Sequence, residues 1–155
     1  MKFEFDTHGN LIPYEIMPCI LADIETCFVE SKHRKRIFRG FCSYQTDFHK
    51  ALRQPFSQWL GGSFISKALL PKDIDVVNII DYNLQWERRL KNELIDFFTV
   101  GGSADNYLVD AHLVVVYEKT DERYELTVSR MAYFRKWFCT DRMGNERGIL
   151  ALQNN

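Results

Sequence analysis

The strongest constraint on the fold comes from residues 74–80, where five of the seven side chains are isoleucine or valine. β-branched apolar side chains at this density predict a buried strand. Around this segment, stretches with helical spacing of apolar residues alternate with further strand-like stretches. The sequence therefore predicts an α/β (α+β) fold, a small mixed β-sheet flanked by helices.

The pattern of apolar residues places the other elements. Spacings of three and four predict helices, and alternating or β-branched stretches predict strands. The expected helices span about 19–28, 31–52, 64–70, 84–98 and 122–138, with the first two either separate or joined at a kink. The expected strands span 56–60, 74–80 and 107–117, after an extended arm that reaches Pro18. No linker or repeat divides the chain, so residues 1–155 are expected to form a single domain.

Composition excludes some classes of protein. The net charge is −1, which excludes a generally basic protein that coats nucleic acid but leaves room for a local basic patch. The four cysteines lack zinc-ligand spacing. The first residues lack the apolar core of a signal peptide, and no apolar run reaches membrane-spanning length. We therefore expect a cytoplasmic protein without a membrane partner.

Two aspartates open the strand predicted at 74–80. Asp73 and Asp75 flank Ile74, and side chains two apart on a strand project from the same face. Two parallel carboxylates repel each other and are costly to keep ionised without a cation. Mg²⁺, with Mn²⁺ as an alternative, is the hard cation that oxygen ligands prefer. Such ions can hold a triphosphate and stabilise both the attacking and the leaving oxygen during transfer.

A glycine turn before these aspartates supplies a complementary phosphate site. Gly61 and Gly62 let the backbone approach a phosphate closely, and the N–H groups at the start of the following short helix would face an anion. Ser63 adds a hydroxyl donor. Lys67 and Lys72 lie near enough in sequence to help neutralise the phosphate charge.

A third carboxylate is expected on a neighbouring strand, where it would complete a metal shell or activate an acceptor hydroxyl. Asp110 is the best candidate because it opens the apolar strand that contains Leu113 to Val116. His112 lies two residues on and therefore on the same face. It would either bind the acceptor or be an ordinary half-buried histidine. Asp105 is the alternative acid, in a segment that looks like a flexible loop.

Together these motifs resemble the nucleotidyltransferase superfamily related to DNA polymerase beta. The shared pattern is a glycine-serine turn, a short spacer, Asp-apolar-Asp on a strand and a later strand with an acid. The chain also resembles a family of minimal bacterial nucleotidyltransferase-like proteins, whose members read Gly-Ser-Phe, Pro-x-Asp-Ile-Asp, a Val-Asp strand and a closing Gly-Ile-Leu, here residues 148–150. That second resemblance covers most of the chain.

The resemblance implies a Mg²⁺-dependent transfer of a nucleoside monophosphate from an NTP to a hydroxyl of RNA or protein, with release of pyrophosphate. ATP is the first nucleotide expected, although no motif reads the base. The resemblance assigns phosphate binding to Gly62 and Ser63, metal binding to Asp73 and Asp75, and the third acid to Asp110. Larger members add a helical domain, for which this chain has no room. Small relatives often act with a helical partner protein, commonly as toxin-antitoxin pairs.

Two alternatives to an active enzyme remain at this stage. The chain could be a non-catalytic module that binds a nucleotide or a partner, such as one component of a toxin-antitoxin pair. It could also be a structural domain whose carboxylates bind nothing. A further feature, the basic run Lys32 to Arg36 extended by Arg39, could attract RNA phosphates. A solvated helical face is the commoner explanation for such a run, and we prefer it.

Overall fold

A computed structural model describes residues 2–155. Within them, a five-stranded mixed sheet forms the centre, and a two-stranded hairpin forms a second, separate sheet. The strands are β1 (Glu4–Phe5), β2 (Leu11–Ile12), β3 (Ile16–Cys19), β4 (Phe56–Gly61), β5 (Ile74–Asp81), β6 (Val109–Val116) and β7 (Ile149–Asn154). The order in the large sheet is β3-β7-β4-β5-β6. β4 runs antiparallel to β5 and β7, whereas the pairs β5/β6 and β3/β7 are parallel.

Helices cover both faces of this sheet. They are α1 (Leu21–Phe28), α2 (Lys32–Leu52), α3 (Leu84–Arg89), α4 (Ser103–Tyr107) and α5 (Tyr124–Phe138). On one face, Asn78 of β5 donates from Nδ2 to the Tyr44 hydroxyl of α2 at 2.9 Å. His112 of β6 pairs with Val77 and so faces the opposite side, where its ring centroid lies 5.2 Å from that of Phe134 in α5. The arrangement confirms a small mixed sheet flanked by helices.

In the part of the chain that the structure describes, no helix combines the length and the apolar character that a membrane span requires.

A buried arginine fixes the segment between β4 and β5. Arg34 of α2 is only 2% exposed. Its Nη1 donates to the carbonyl oxygens of Phe28 at 3.2 Å and Phe64 at 2.6 Å. Its Nη2 donates to those of Ser66 at 2.9 Å and Ala68 at 2.5 Å. One guanidinium therefore satisfies carbonyl groups from α1 and from the connection that leads to Asp73.

This contact explains why the helix expected at 64–70 is wrong. Only Ser63–Ile65 forms a single 3₁₀ turn. The carbonyl groups that a continuing helix would use internally point at Arg34 instead. The interpretation of residues 32–36 as a solvated face is wrong for Arg34 as well, whereas Lys32, Lys35 and Arg36 are exposed.

The helix expected at 84–98 changes its winding along its length. The α-helical turns end at Arg89, a π-helical turn follows at Leu90–Leu94, and a 3₁₀ turn follows at Ile95–Phe97. The inward-facing positions Trp86, Leu90, Leu94 and Phe98 are spaced by four residues. Because four exceeds the α-helical repeat of 3.6, a locally wider turn keeps these side chains on one side.

Near both ends of the chain, the helices and strands differ from those predicted from the sequence. The expected helix at 19–28 begins only at Leu21, and Cys19 ends the strand β3 instead. α1 and α2 are separate helices, with Ser31 capping α2 by accepting a hydrogen bond from the Arg34 amide at 3.1 Å. The apolar residues of the strand β7 gave no strand prediction, because a short continuous apolar run fits a helix or a strand equally.

Loss of the Arg34 side chain should destabilise the whole fold. In Arg34→Ala, the four carbonyl groups would lose their donor, and a buried unpaired carbonyl costs about 1–3 kcal/mol. We expect the free energy of unfolding, measured by urea denaturation, to fall by about 3 kcal/mol or more. Arg36→Ala on the exposed face of α2 is the matched control and should change it by less than about 0.5 kcal/mol. Equal effects of the two substitutions would contradict the assigned role of Arg34.

Candidate active site

Two of the predicted acids lie side by side at one end of the sheet. Asp75 is the second residue of β5 and Asp110 the second residue of β6, and the two are paired in the parallel register. Paired residues on neighbouring strands point to the same face, with the strands roughly 4.8 Å apart. Asp73 lies immediately before β5. The structure thus brings together the three carboxylates that the sequence singled out.

The glycine turn packs against this acid pair. Gly62 has φ 76° and ψ −169°, a backbone conformation that is essentially restricted to glycine. A Cβ atom at Gly62 would overlap Oδ2 of Asp75, so the carboxylate lies directly over the glycine backbone. The predicted phosphate turn and the predicted metal pair are therefore in contact.

Gly61 has a packing role that the sequence did not predict. It pairs with Asp75 across β4 and β5, and a Cβ atom there would lie 2.5 Å from Cδ2 of Phe138. The missing side chain therefore makes room for the last turn of α5. Gly61 serves packing, and the close approach of backbone to acid belongs to Gly62.

Asp110 is held by two polar neighbours. Thr99 donates from its hydroxyl to Oδ1 of Asp110 at 2.5 Å and accepts a hydrogen bond from the Ala111 amide at 2.8 Å. His112 Nε2 lies 3.3 Å from the same Oδ1 and, among residues 2–155, has no other polar partner. The carboxylate is thus oriented from both sides. Thr99 was missed because nothing in its sequence context distinguishes it from other loop threonines.

The three acids have different affinities for protons. Burial, reinforced by the charges of Asp73 and Asp110, raises the pKa of Asp75 to about 6. Burial and the Asp110 charge also raise the pKa of Asp73. The contact with His112 is the largest cause that lowers the pKa of Asp110, and the Thr99 hydroxyl adds to it. Asp110 is therefore the acid that stays ionised most readily, while Asp75 carries the cost of the crowded charges.

Cations surround the acids, and sequence reasoning missed two of them. Arg147 is half-buried, donates from Nε to the Phe138 carbonyl at 2.7 Å, and acts by its charge on Asp75. Arg142 and Lys72 act in the same way on Asp73. Burial lowers the pKa of Arg147. Lys72 is thus where the sequence suggested, whereas the two arginines come from the turn after α5.

That turn is organised by one aspartate. Asp141 accepts hydrogen bonds from the amides of Met143 and Asn145, both at 2.9 Å, and from the side chain of Asn10 at 2.9 Å. The sequence identified this stretch only as a turn. The turn lies beside the acids because the strand that follows it, β7, enters the sheet between β3 and β4. The residue pattern did not predict that strand.

The remaining predicted site residues are placed as follows. Ser63 is exposed in the turn after β4. Lys67 lies against the N-terminal hairpin, with its ammonium 4.5 Å from the ring centroid of Phe5 and its amide donating to the Gly9 carbonyl at 2.9 Å. Asp105 is exposed on the short helix α4 rather than in a flexible loop. Lys67 is therefore engaged outside the acid cluster.

The acid cluster fits a hard divalent cation by its donor chemistry. Among residues 2–155, no three His, Cys, Asp or Glu side chains are arranged as they stand so that they could hold a metal ion. Burial and the charges of Asp73 and Asp110 nevertheless raise the pKa of Asp75, and a bound cation would offset the repulsion between these like charges. Carboxylate oxygens are the ligands that Mg²⁺ and Mn²⁺ prefer. Asp73, Asp75 and Asp110 are the residues that would hold such an ion.

Comparison with protein families places the chain. The model of a family of unknown function, DUF6932, matches residues 3–153. The chain belongs to this family. No match was found among curated proteins or solved structures. The family description carries no activity, so the resemblance to nucleotidyltransferases stays a prediction that rests on the residues.

The Gly62 contact can be tested against a matched glycine. Gly144 also has a positive φ, of 84°, but a Cβ there would meet nothing within 4 Å. Gly144→Ala should therefore cost only the left-handed strain of about 1–2 kcal/mol, and Gly62→Ala clearly more in urea unfolding. In an Asp75→Ala background the cost of Gly62→Ala should fall, because the overlap with the carboxylate is gone and chiefly the backbone strain of position 62 remains. An unchanged cost there would show that Asp75 does not lie over Gly62.

The raised pKa of Asp75 predicts a pH-dependent stability. Between pH 3.8 and about 6 the folded state binds this proton more tightly than the unfolded chain, so the free energy of unfolding falls as the pH rises. Asp75→Asn removes the penalty and should stabilise the protein at pH 8 by roughly 2 kcal/mol, with the gain vanishing toward pH 4.

Asp110→Asn is the matched control for this measurement. Its folded-state pKa is lowered, so ionised Asp110 contributes stability that is present above the unfolded pKa and lost at lower pH. Urea unfolding at pH 8 should therefore show a loss for Asp110→Asn. Destabilisation of similar size by both substitutions at pH 8 would contradict the assignment of charges.

Proposed function

We propose that the chain is a minimal nucleotidyltransferase, with a nucleotidyltransferase-like fold, that transfers a nucleoside monophosphate from an NTP to a hydroxyl and releases pyrophosphate. The observation that carries the proposal is the pairing of Asp75 with Asp110 on one face while Gly62 lies against the Asp75 carboxylate. A glycine turn, two paired carboxylates and a third acid beside them are the parts that such a transfer uses.

The order of these groups across the sheet suggests how a bound NTP would be oriented. Gly62 and Ser63 follow β4, Asp73 and Asp75 lie at the start of β5, and Asp110 belongs to β6. A triphosphate whose terminal phosphates lie at the glycine turn would place its α-phosphate at the acids. The nucleoside and the acceptor hydroxyl would then lie on the β6 side.

The acids are suited to a cation in different ways. Bound Mg²⁺ or Mn²⁺ would neutralise phosphate charge and polarise the phosphoryl group. His112 and Thr99 lower the pKa of Asp110, which makes this carboxylate a weak proton acceptor and favours a ligand role over that of general base. Asp75, with a pKa of about 6, releases its proton near neutral pH and then offers a second anionic oxygen.

The arginines after α5 add positive charge beside the acids. Arg147 acts on Asp75 and Arg142 on Asp73. Guanidinium groups present several N–H donors in a geometry that suits phosphate oxygens. We assign to Arg147 and Arg142 the part of holding the β- and γ-phosphates and stabilising the departing pyrophosphate, a role for which the sequence offered Lys67 and Lys72.

Transfer of label from α-labelled NTPs tests the proposal. ATP, CTP, GTP and UTP would be offered separately with Mg²⁺ or Mn²⁺, total RNA and a cell lysate, and label followed into RNA and protein. Asp73→Asn and Asp75→Asn should each reduce transfer more than about 100-fold, since even residues behind the ligands cost 10–100-fold in metal sites. Asp81→Asn, at the opposite end of β5 and exposed, should leave transfer unchanged.

The same assay separates the third acid from its alternative. Asp110→Asn should lose transfer, whereas Asp105→Asn should retain it, because Asp110 pairs with Asp75 and Asp105 is exposed on α4. Full activity in Asp73→Asn or Asp75→Asn would refute the mechanism. Bound NTP without any product would instead favour the non-catalytic module and a search for a partner protein, as in a toxin-antitoxin pair.

A further inference from the structure

One face of α5 exposes large apolar side chains that are not buried against the sheet. Leu126, Tyr133 and Trp137 are 56%, 58% and 42% exposed, although α5 already buries Phe134 and Phe138 against the sheet. With the exposed Arg130 they recur at spacings of four, three and four residues, so they lie on one side of the helix. We name Leu126, Arg130, Tyr133 and Trp137 the α5 stripe.

The α5 stripe runs along the edge strand β6 and ends at the candidate active site. Arg130 donates from Nη2 to the Leu113 carbonyl at 3.3 Å, which ties the middle of the stripe to β6. Trp137 lies with its ring centroid 5.0 Å from that of His112. His112 Nε2 in turn lies 3.3 Å from Asp110. An exposed indole is therefore separated from an active-site acid by a single side chain.

The charge of this helix surface is one-sided. Of the cations between residues 129 and 137, Arg130 lies within the stripe and Lys136 beside it, whereas Arg135 lies on the other side of the helix, and this segment contains no acidic residue. The Tyr133 and Trp137 ring centroids are 6.1 Å apart. Aromatic rings on which bases stack, set among cations that face phosphates, are the common means of binding single-stranded nucleic acid. The overall charge of −1 makes this local excess of cations more distinctive.

We propose that the α5 stripe binds the end of an unpaired nucleic-acid strand and delivers its terminal hydroxyl to Asp110. Bases stack on Tyr133 and Trp137, and Arg130 faces the backbone phosphates. This inference rests on the proposed function and names its acceptor. The hydroxyl oxygen bonds to the α-phosphorus of the NTP, the bond from that phosphorus to the bridging oxygen breaks, pyrophosphate leaves with the electron pair, and the hydroxyl proton is released to solvent water.

Binding of a fluorescein-labelled single-stranded RNA of about twelve nucleotides, followed by anisotropy with neither NTP nor Mg²⁺, tests the stripe. Trp137→Ala and Tyr133→Ala should each weaken binding about tenfold, while Trp137→Phe keeps most of the affinity because a ring remains. Arg130→Ala should lower the dependence of affinity on salt. Val128→Ala, exposed on another side of the same helix, is the matched control and should bind as the wild type does.

Several results would overturn the proposal. These are no binding of single-stranded RNA or DNA, equal binding by Trp137→Ala, Tyr133→Ala and Val128→Ala, or equally tight binding of duplex RNA, which offers no unstacked bases. Comparing RNA with DNA of the same sequence identifies the strand. Because Tyr133 is more exposed than Trp137, its variant keeps the test valid if Trp137→Ala does not fold.

The assay distinguishes this inference from the proposed function. The Asp73→Asn and Asp75→Asn variants should bind the strand normally even though they transfer nothing. Ring-dependent binding with no transfer by the wild type would refute the enzyme and support the stripe. Transfer onto protein that Trp137→Ala and Tyr133→Ala leave unchanged would support the enzyme and refute the stripe in favour of a protein acceptor.

Discussion

The buried guanidinium of Arg34 is the interaction on which the candidate site depends. Among residues 2–155, its four hydrogen bonds all go to backbone carbonyl groups and none goes to a carboxylate. Those carbonyls belong to α1 and to the connection between Gly62 and Asp73. The spacing between glycine turn and acids is thus set by a side chain from α2, outside both motifs.

The acids themselves oppose stability. Packing Asp75 beside Asp73 and Asp110 raises its pKa because burial and like charge both disfavour ionisation. The surrounding cations Arg147, Arg142 and Lys72 offset only part of this cost. An ionised carboxylate with a raised pKa lowers the stability of the fold, and such concentrated unfavourable charge is common at functional sites. This is the physical reason to regard the end of the sheet as a site rather than as an ordinary strand edge.

The sequence predicted the acids well and their surroundings poorly. Asp73, Asp75 and Asp110 followed from strand periodicity, a local property that the parallel register of β5 and β6 then brought together. Arg34 looked like one of several surface cations because its burial depends on carbonyls some thirty residues away. Arg147 and Thr99 reach the acids through the placement of loops, which no local pattern encodes. Nothing in the local sequence singles out Trp137 either, because its contact with His112 depends on where α5 ends against β6.

The position of β7 has a consequence for when the site exists. This strand lies between β3 and β4, so residues near opposite ends of the chain are hydrogen-bonded neighbours, as Ile16 and Ile149 are. Asn10 and Asp141, which are 131 positions apart in the sequence, also connect the two ends of the chain through a side-chain hydrogen bond. During synthesis, β4, β5 and β6 emerge long before the strand that completes the sheet. Arg142 and Arg147 directly precede β7, so their placement beside the acids depends on the strand that joins the sheet last.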